Sequence, residues 1–99
     1  MRDPERDLVR RTHAALRAVH HAFGSPRDVS EDATDGEYDV VVDADALTAV
    51  VSGGLTGRSL RTGSVIDGRA LARDLLGRDG LDATQRQALV ELLAVLEGW

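Results

Sequence analysis

Asp39, Asp43 and Asp45 recur within one short stretch, and His13, His20 and His21 recur within another. These are the residues whose types and spacing bear on metal or proton chemistry. Hard cations such as Mg2+ and Ca2+ favour carboxylate oxygens, so alternating Asp is a reasonable ligand pattern. The string Asp43-Ala44-Asp45 nevertheless lacks the Gly and the distant Glu of a calcium loop. The histidines fit a metal less well. Positions 13 and 20 are two turns apart on a helix, roughly 10 Å, and positions 20 and 21 point in different directions. No His-Glu-x-x-His or His-x3-His spacing occurs. No metal and no cofactor is expected.

Other chemistries fail on residue type. The chain has no cysteine, which removes thiol nucleophiles, disulfides and Cys-ligated metals together. No Gly-x-Ser-x-Gly elbow occurs. The stretch Ser52-Gly53-Gly54-Leu55-Thr56-Gly57-Arg58-Ser59 is rich in glycine, but it has Ser52 where a phosphate-binding loop needs Gly and Arg58 where it needs Lys. It reads as a helix end followed by a tight loop. The expectation is therefore a protein that is not an enzyme.

Charge says more than catalysis. All 12 basic side chains are Arg, and the net charge is −5. Residues 1–27 carry +3, residues 28–45 carry −8, and residues 46–99 balance to zero. The negative total argues against nucleic acid as a partner, although Arg6, Arg10 and Arg17 share the N-terminal helix with His13. The acidic middle, with Asp28, Glu31, Asp32, Asp35 and Glu37, suits attraction to a basic protein surface.

The elements that must position these groups follow from periodicity. Leu8, Thr12, Ala15, Leu16, Val19 and Phe23 recur at three- and four-residue spacing, which predicts an amphipathic N-terminal helix. Asp3 and Pro4 suit its start, and Gly24-Ser25-Pro26 its end. Residues 24–37 read as an acidic polar loop. Tyr38-Asp39-Val40-Val41-Val42-Asp43 alternates and predicts a strand, with a partner strand over Ser59–Ile66. Asp45 would cap a short helix over Ala46–Ser52, and Asp67 another over Gly68–Leu76. The last helix starts near Asp82 to Thr84, with Thr84 and Gln87 as a capping box. Leu89, Leu92, Leu93 and Leu96 form its main stripe, widened by Ala88, Val90 and Val95. So broad a face predicts either deep burial or a partner, and Leu89, Leu92, Leu96 and Trp99 are the expected contact residues, in a homodimer or with another protein.

The expected fold class is α+β, one domain over 1–99: an N-terminal helix, a small antiparallel sheet of two or three strands, two short helices and a longer C-terminal helix. No apolar run is long enough to span a bilayer, and the charged N-terminus is not followed by an apolar signal core. No membrane partner and a cytoplasmic location are expected.

Two resemblances add to this. The string from Asp39 to Leu47 resembles the first strand and turn of PIN-type nucleases over about ten residues. It would imply a metal-binding Asp at a strand end. More broadly, Glu37–Val42, Asp45–Gly53, Leu60–Val65 and Asp67–Leu76 are similar in order to the C-terminal half of sterol-carrier-protein-2-like domains, over roughly 40 residues. That resemblance implies an α+β fold around an apolar cavity for a lipid or acyl chain, here lined by Leu47, Val50, Leu71 and Leu75. The leading expectation remains a small acidic interaction protein of accessory, regulatory or inhibitor type. The carrier is the alternative.

Overall fold

A computed structural model describes residues 4–54, 56–58 and 65–98 of the 99-residue chain. Four α-helices carry the fold: α1 (Pro4–Phe23), α2 (Asp35–Ser52), α3 (Gly68–Leu76) and α4 (Ala83–Leu96). A single 3-10 turn, Pro26–Asp28, lies between α1 and α2. Helices α1 and α3 each pack against both α2 and α4, so the four close around one aliphatic core.

The α+β expectation is overturned. Tyr38 to Asp43 is not a strand but the second and third turns of α2, which runs on through the separately expected helix at 46–52. The reason lies upstream, at Thr34. Its hydroxyl accepts from the Glu37 amide at 3.1 Å, and the Glu37 carboxylate accepts from the Thr34 amide at 3.3 Å. This capping box starts a helix before the valine run begins, with Asp35 and Glu37 in the first turn, where negative charge meets the positive helix end. Once the period is helical, Val40, Ala44, Leu47 and Val51 fall on one stripe. Ala44 and Leu47 are almost wholly removed from water, and Val40 packs against them. Burial of that stripe outweighs the modest helix propensity of valine.

Extended structure among the described residues is limited to a three-residue antiparallel ladder, β1 (Thr56–Arg58) with β2 (Val65–Asp67), paired Thr56↔Asp67, Gly57↔Ile66 and Arg58↔Val65. It forms no layer of the core. Most of the expected partner strand, residues 59–64, lies outside the described residues, as do the proposed cap Asp3 and Trp99. The strand, helix, strand, helix order implied by the carrier resemblance is absent over 37–52, which is one helix.

Elsewhere local chemistry and structure agree more closely. The α1 stripe is the buried one, with Val19 at 0% exposure and Phe23 at 7%. Gly24 closes α1 with a positive φ of 76° and an amide bond back to the His20 carbonyl at 2.8 Å, a left-handed cap that glycine adopts without a Cβ clash. Asp67 caps α3 by accepting from the Arg69 amide at 2.9 Å. The α4 cap is displaced from expectation. Asp82 and Gln85 form the capping box, with Asp82 accepting from the Gln85 amide at 2.7 Å, while the Gln87 side chain donates to Glu91.

Two cross-helix bonds tie the helix ends together. Gln85, in the first turn of α4, donates to the Ala22 carbonyl of α1 at 3.3 Å. Arg69, in the first turn of α3, donates to the Leu96 carbonyl of α4 at 3.1 Å. Each answers a carbonyl that a helix C-terminus leaves without an internal partner.

The core predicts sharply different substitution costs along α4. Leu92→Ala should lose about 2–5 kcal/mol of stability, because Leu92 is fully buried. Val90→Ala should lose less than about 1 kcal/mol, because Val90 is 45% exposed. Urea denaturation followed by far-UV circular dichroism checks both, and equal losses would contradict this packing.

Candidate interaction surface

The expected contact residues divide into two groups. Leu89, Leu92 and Leu96 are each at 0% exposure. They belong to the core beside Leu16, Val19 and Phe23, and α4 spends that face on α1. They are corrected from partner residues to core residues. Asp28, Glu31, Asp32, Asp35 and Glu37 are exposed. Asp28 ends the 3-10 turn, and Glu31 and Asp32 sit in a turn where the Ser30 hydroxyl accepts from the Asp32 amide at 3.2 Å. Glu37 also has a local task, its cap on Thr34.

The same acidic character continues down the outer face of α2. Asp35, Tyr38, Asp39, Val42, Asp45, Ala46 and Ala49 share one side of the helix by its 3.6-residue period, opposite the stripe buried in the core. Tyr38 is 47% exposed, one of three large apolar side chains so exposed among the described residues. Sequence alternation assigned Tyr38 and Val42 to a buried strand face; the helical period turns them outward. A helix apolar on both sides is the signal that finds this surface, and it shows only once the segment is known to be helical.

No Arg or His among the described residues lies within ion-pair distance of Asp28, Glu31, Asp32, Asp35, Asp39 or Asp45. Asp43 differs. It is three-quarters buried and pairs with Arg78, which also binds Asp74 at 2.8 Å. Arg78 thus clamps α2 to the end of α3. Burial pulls its pKa down, but the hydrogen bonds to Asp74 and Asp43 outweigh that, and the net shift is upward. Its charge therefore persists at any ordinary pH, and Asp43 serves structure. The same placement removes the strand-end setting of the nuclease resemblance, since Asp39, Asp43 and Asp45 all lie within α2. No group of three or more His, Cys, Asp or Glu among the described residues is arranged to hold a metal ion.

A basic stripe occupies the outer face of α1. Arg6, Arg10, His13, Arg17 and His20 follow at four- and three-residue spacing, and all are exposed. Val9, 39% exposed, borders it.

The residues expected to line an apolar cavity pack differently. Leu47 and Leu75 are closed into the core at 0% exposure. A half-open groove of about 300 Å³ lies between α1 and the end of α2, where Val9, Thr12, His13, Leu16, Val51, Ser52 and Gly54 line it. The Thr12 hydroxyl there donates to the Leu8 carbonyl at 2.7 Å.

No family model, curated protein or solved structure matches the chain. No helix among the described residues is long and apolar enough to cross a membrane.

The Arg78 clamp yields a measurable cost. Arg78→Met should lose about 1–2 kcal/mol, since it leaves the largely buried Asp43 without its cation. Pairing it with Asp43→Asn in a double-mutant cycle should recover part of that loss. Strict additivity of the two changes in chemical denaturation would show that the pair contributes nothing.

Proposed function

We propose that this chain is a protein-interaction module that presents the acidic, Tyr-bearing outer face of α2 and the adjoining 28–35 turn to a basic protein surface. One observation carries it: this face combines unpaired carboxylates with an exposed aromatic, and no other described element covers it. Interfaces of moderate affinity are built in this way. A central aromatic supplies buried area at little entropic cost, while surrounding charges select the partner and speed encounter. Chemistry on a substrate is not part of this proposal.

A second reading keeps the carrier idea on different residues. The space beside Val9, Leu16 and Val51 would admit a small apolar ligand with a polar end toward His13 and Ser52. A thermal-shift series with short-chain fatty acids tests it, and an unchanged melting temperature throughout removes it.

For the leading proposal the probe is a short polyarginine peptide, titrated in low salt and followed by fluorescence polarisation. Neutralising Asp28, Glu31, Asp32 and Asp39 to their amides, with the Glu37 cap left intact, should weaken binding roughly tenfold or more. Tyr38→Ala should weaken it by a further factor of about three to ten. Equal affinity for the unaltered and neutralised chains would refute the proposal.

A further inference from the structure

The first part of the basic stripe and the first part of the acidic face are separated within one molecule by the way α1 and α2 pack. His20 and Phe23 line the same crevice as Ala44, Asp45 and Thr48. Val9, Thr12 and His13 line the same space as Val51 and Ser52. The two helices are therefore antiparallel, and Asp45 lies near the level of His20. It follows that Asp39 and Asp35 extend past the end of α1 at Phe23, while Arg6 and Arg10 lie at the opposite end of the pair. From the helical rise, Arg10 and Asp39 are offset by roughly 24 Å along the pair. Arg6 and Arg10 therefore cannot meet Asp35 or Asp39 within the chain, whereas His20 and Asp45 share one crevice.

The two faces match between chains. Arg6 to Arg17 spans about 16 Å of helix, and Asp35 to Asp45 about 15 Å. Along the outer faces, the charges fall at positions 6, 10 and 17 on one helix and 35, 39 and 45 on the other, with Asp7, Arg11, Glu37 and Asp43 off those faces. Each face also carries one exposed apolar residue at or beside it, Val9 on α1 and Tyr38 on α2. An Arg from the stripe laid over Tyr38 would make a cation–π contact in addition to its ion pairs.

From this complementarity we infer that the basic surface recognised by α2 is the α1 stripe of a second copy of this chain, docked head to tail. This rests on the acidic-face reading above and names its partner. The contact is heterologous, joining two different patches, so each added copy leaves one patch of each kind open. Assembly then continues beyond a pair as concentration rises. Because the contact is charge-led, salt opposes it, the screening length falling from roughly 30 Å at 0.01 M to about 3 Å at 1 M.

Sedimentation velocity across a concentration series, in low and in high salt, tests the inference. The expected result is a weight-average mass that climbs with concentration in low salt and returns to that of the monomer in high salt. Two variants sharpen it: Arg10→Glu with Arg17→Glu, which makes both faces acidic, and Asp39→Arg with Asp45→Arg, which makes both basic. Each alone should stay monomeric, and an equimolar mixture should associate again. A monomeric unaltered chain at every concentration, association that survives both variants, or a mixture that stays monomeric while both variants keep their helical circular dichroism, would each overturn it. Polyarginine binding by the Arg10→Glu, Arg17→Glu variant separates the two proposals. If that binding holds while the unaltered chain does not self-associate, only the self-partner inference falls; if both are absent, the acidic-face reading falls as well.

Discussion

Leu89, Leu92 and Leu96 are wholly removed from water, and α4 shares that face chiefly with α1. The rest of the fold depends on this contact. The chain has three aromatic residues and no cysteine, so the core rests on aliphatic side chains with Phe23 as the one ring in its buried cluster among the described residues. Each buried leucine contributes about 1.5–3 kcal/mol by transfer from water, and the aliphatic side chains of four helices must combine to offset the entropy of ordering the chain. The first and last helices close the ring, and Gln85 to Ala22 and Arg69 to Leu96 join helix ends across it. A side chain needed for this closure is not available to a partner, which is why the broad face of α4 is core.

With the apolar faces used internally, what remains outside is mostly charge. Arg78 is the exception, drawn half into the seam by Asp43 and Asp74. In the first half of the chain the outward charges are sorted by element: cations along the outer stripe of α1, carboxylates along the 28–35 turn and α2. Sorting of this kind costs stability through like-charge repulsion and gives nothing to the core. It is intelligible as a property of surfaces that meet other surfaces, and the exposed Tyr38 in the acidic field points the same way.

Some of this was legible from residue order. The α1 stripe, the Gly24 cap, the Asp67 cap of α3 and the sign of each segment follow from side-chain chemistry and three-residue spacing. The valine run was not. Tyr38-Asp39-Val40-Val41-Val42-Asp43 satisfies a period of two and a period of 3.6 at once, and β-branched residues weight the choice toward a strand. The Thr34–Glu37 capping box was present in the sequence as well, buried in a segment that reads as polar loop. The same ambiguity misplaced Asp45, whose carbonyl accepts the Thr48 hydroxyl in mid-helix, and it hid Tyr38 from the surface.

The sequence by itself determined the aliphatic character of the core, the absence of cysteine, the Gly24 end of α1 and the Asp67 cap of α3, and the segregation of charge into +3, −8 and neutral stretches. Those depend on residue identity and near neighbours. Tertiary structure decided that 38–43 is helical, that α4's leucines face α1, and that Arg6 and Arg10 lie at the opposite end of an antiparallel pair from Asp35 and Asp39. Each of these turns on which surfaces are buried against one another, and local preference of a few tenths of a kcal/mol per residue yields to burial worth about ten times as much.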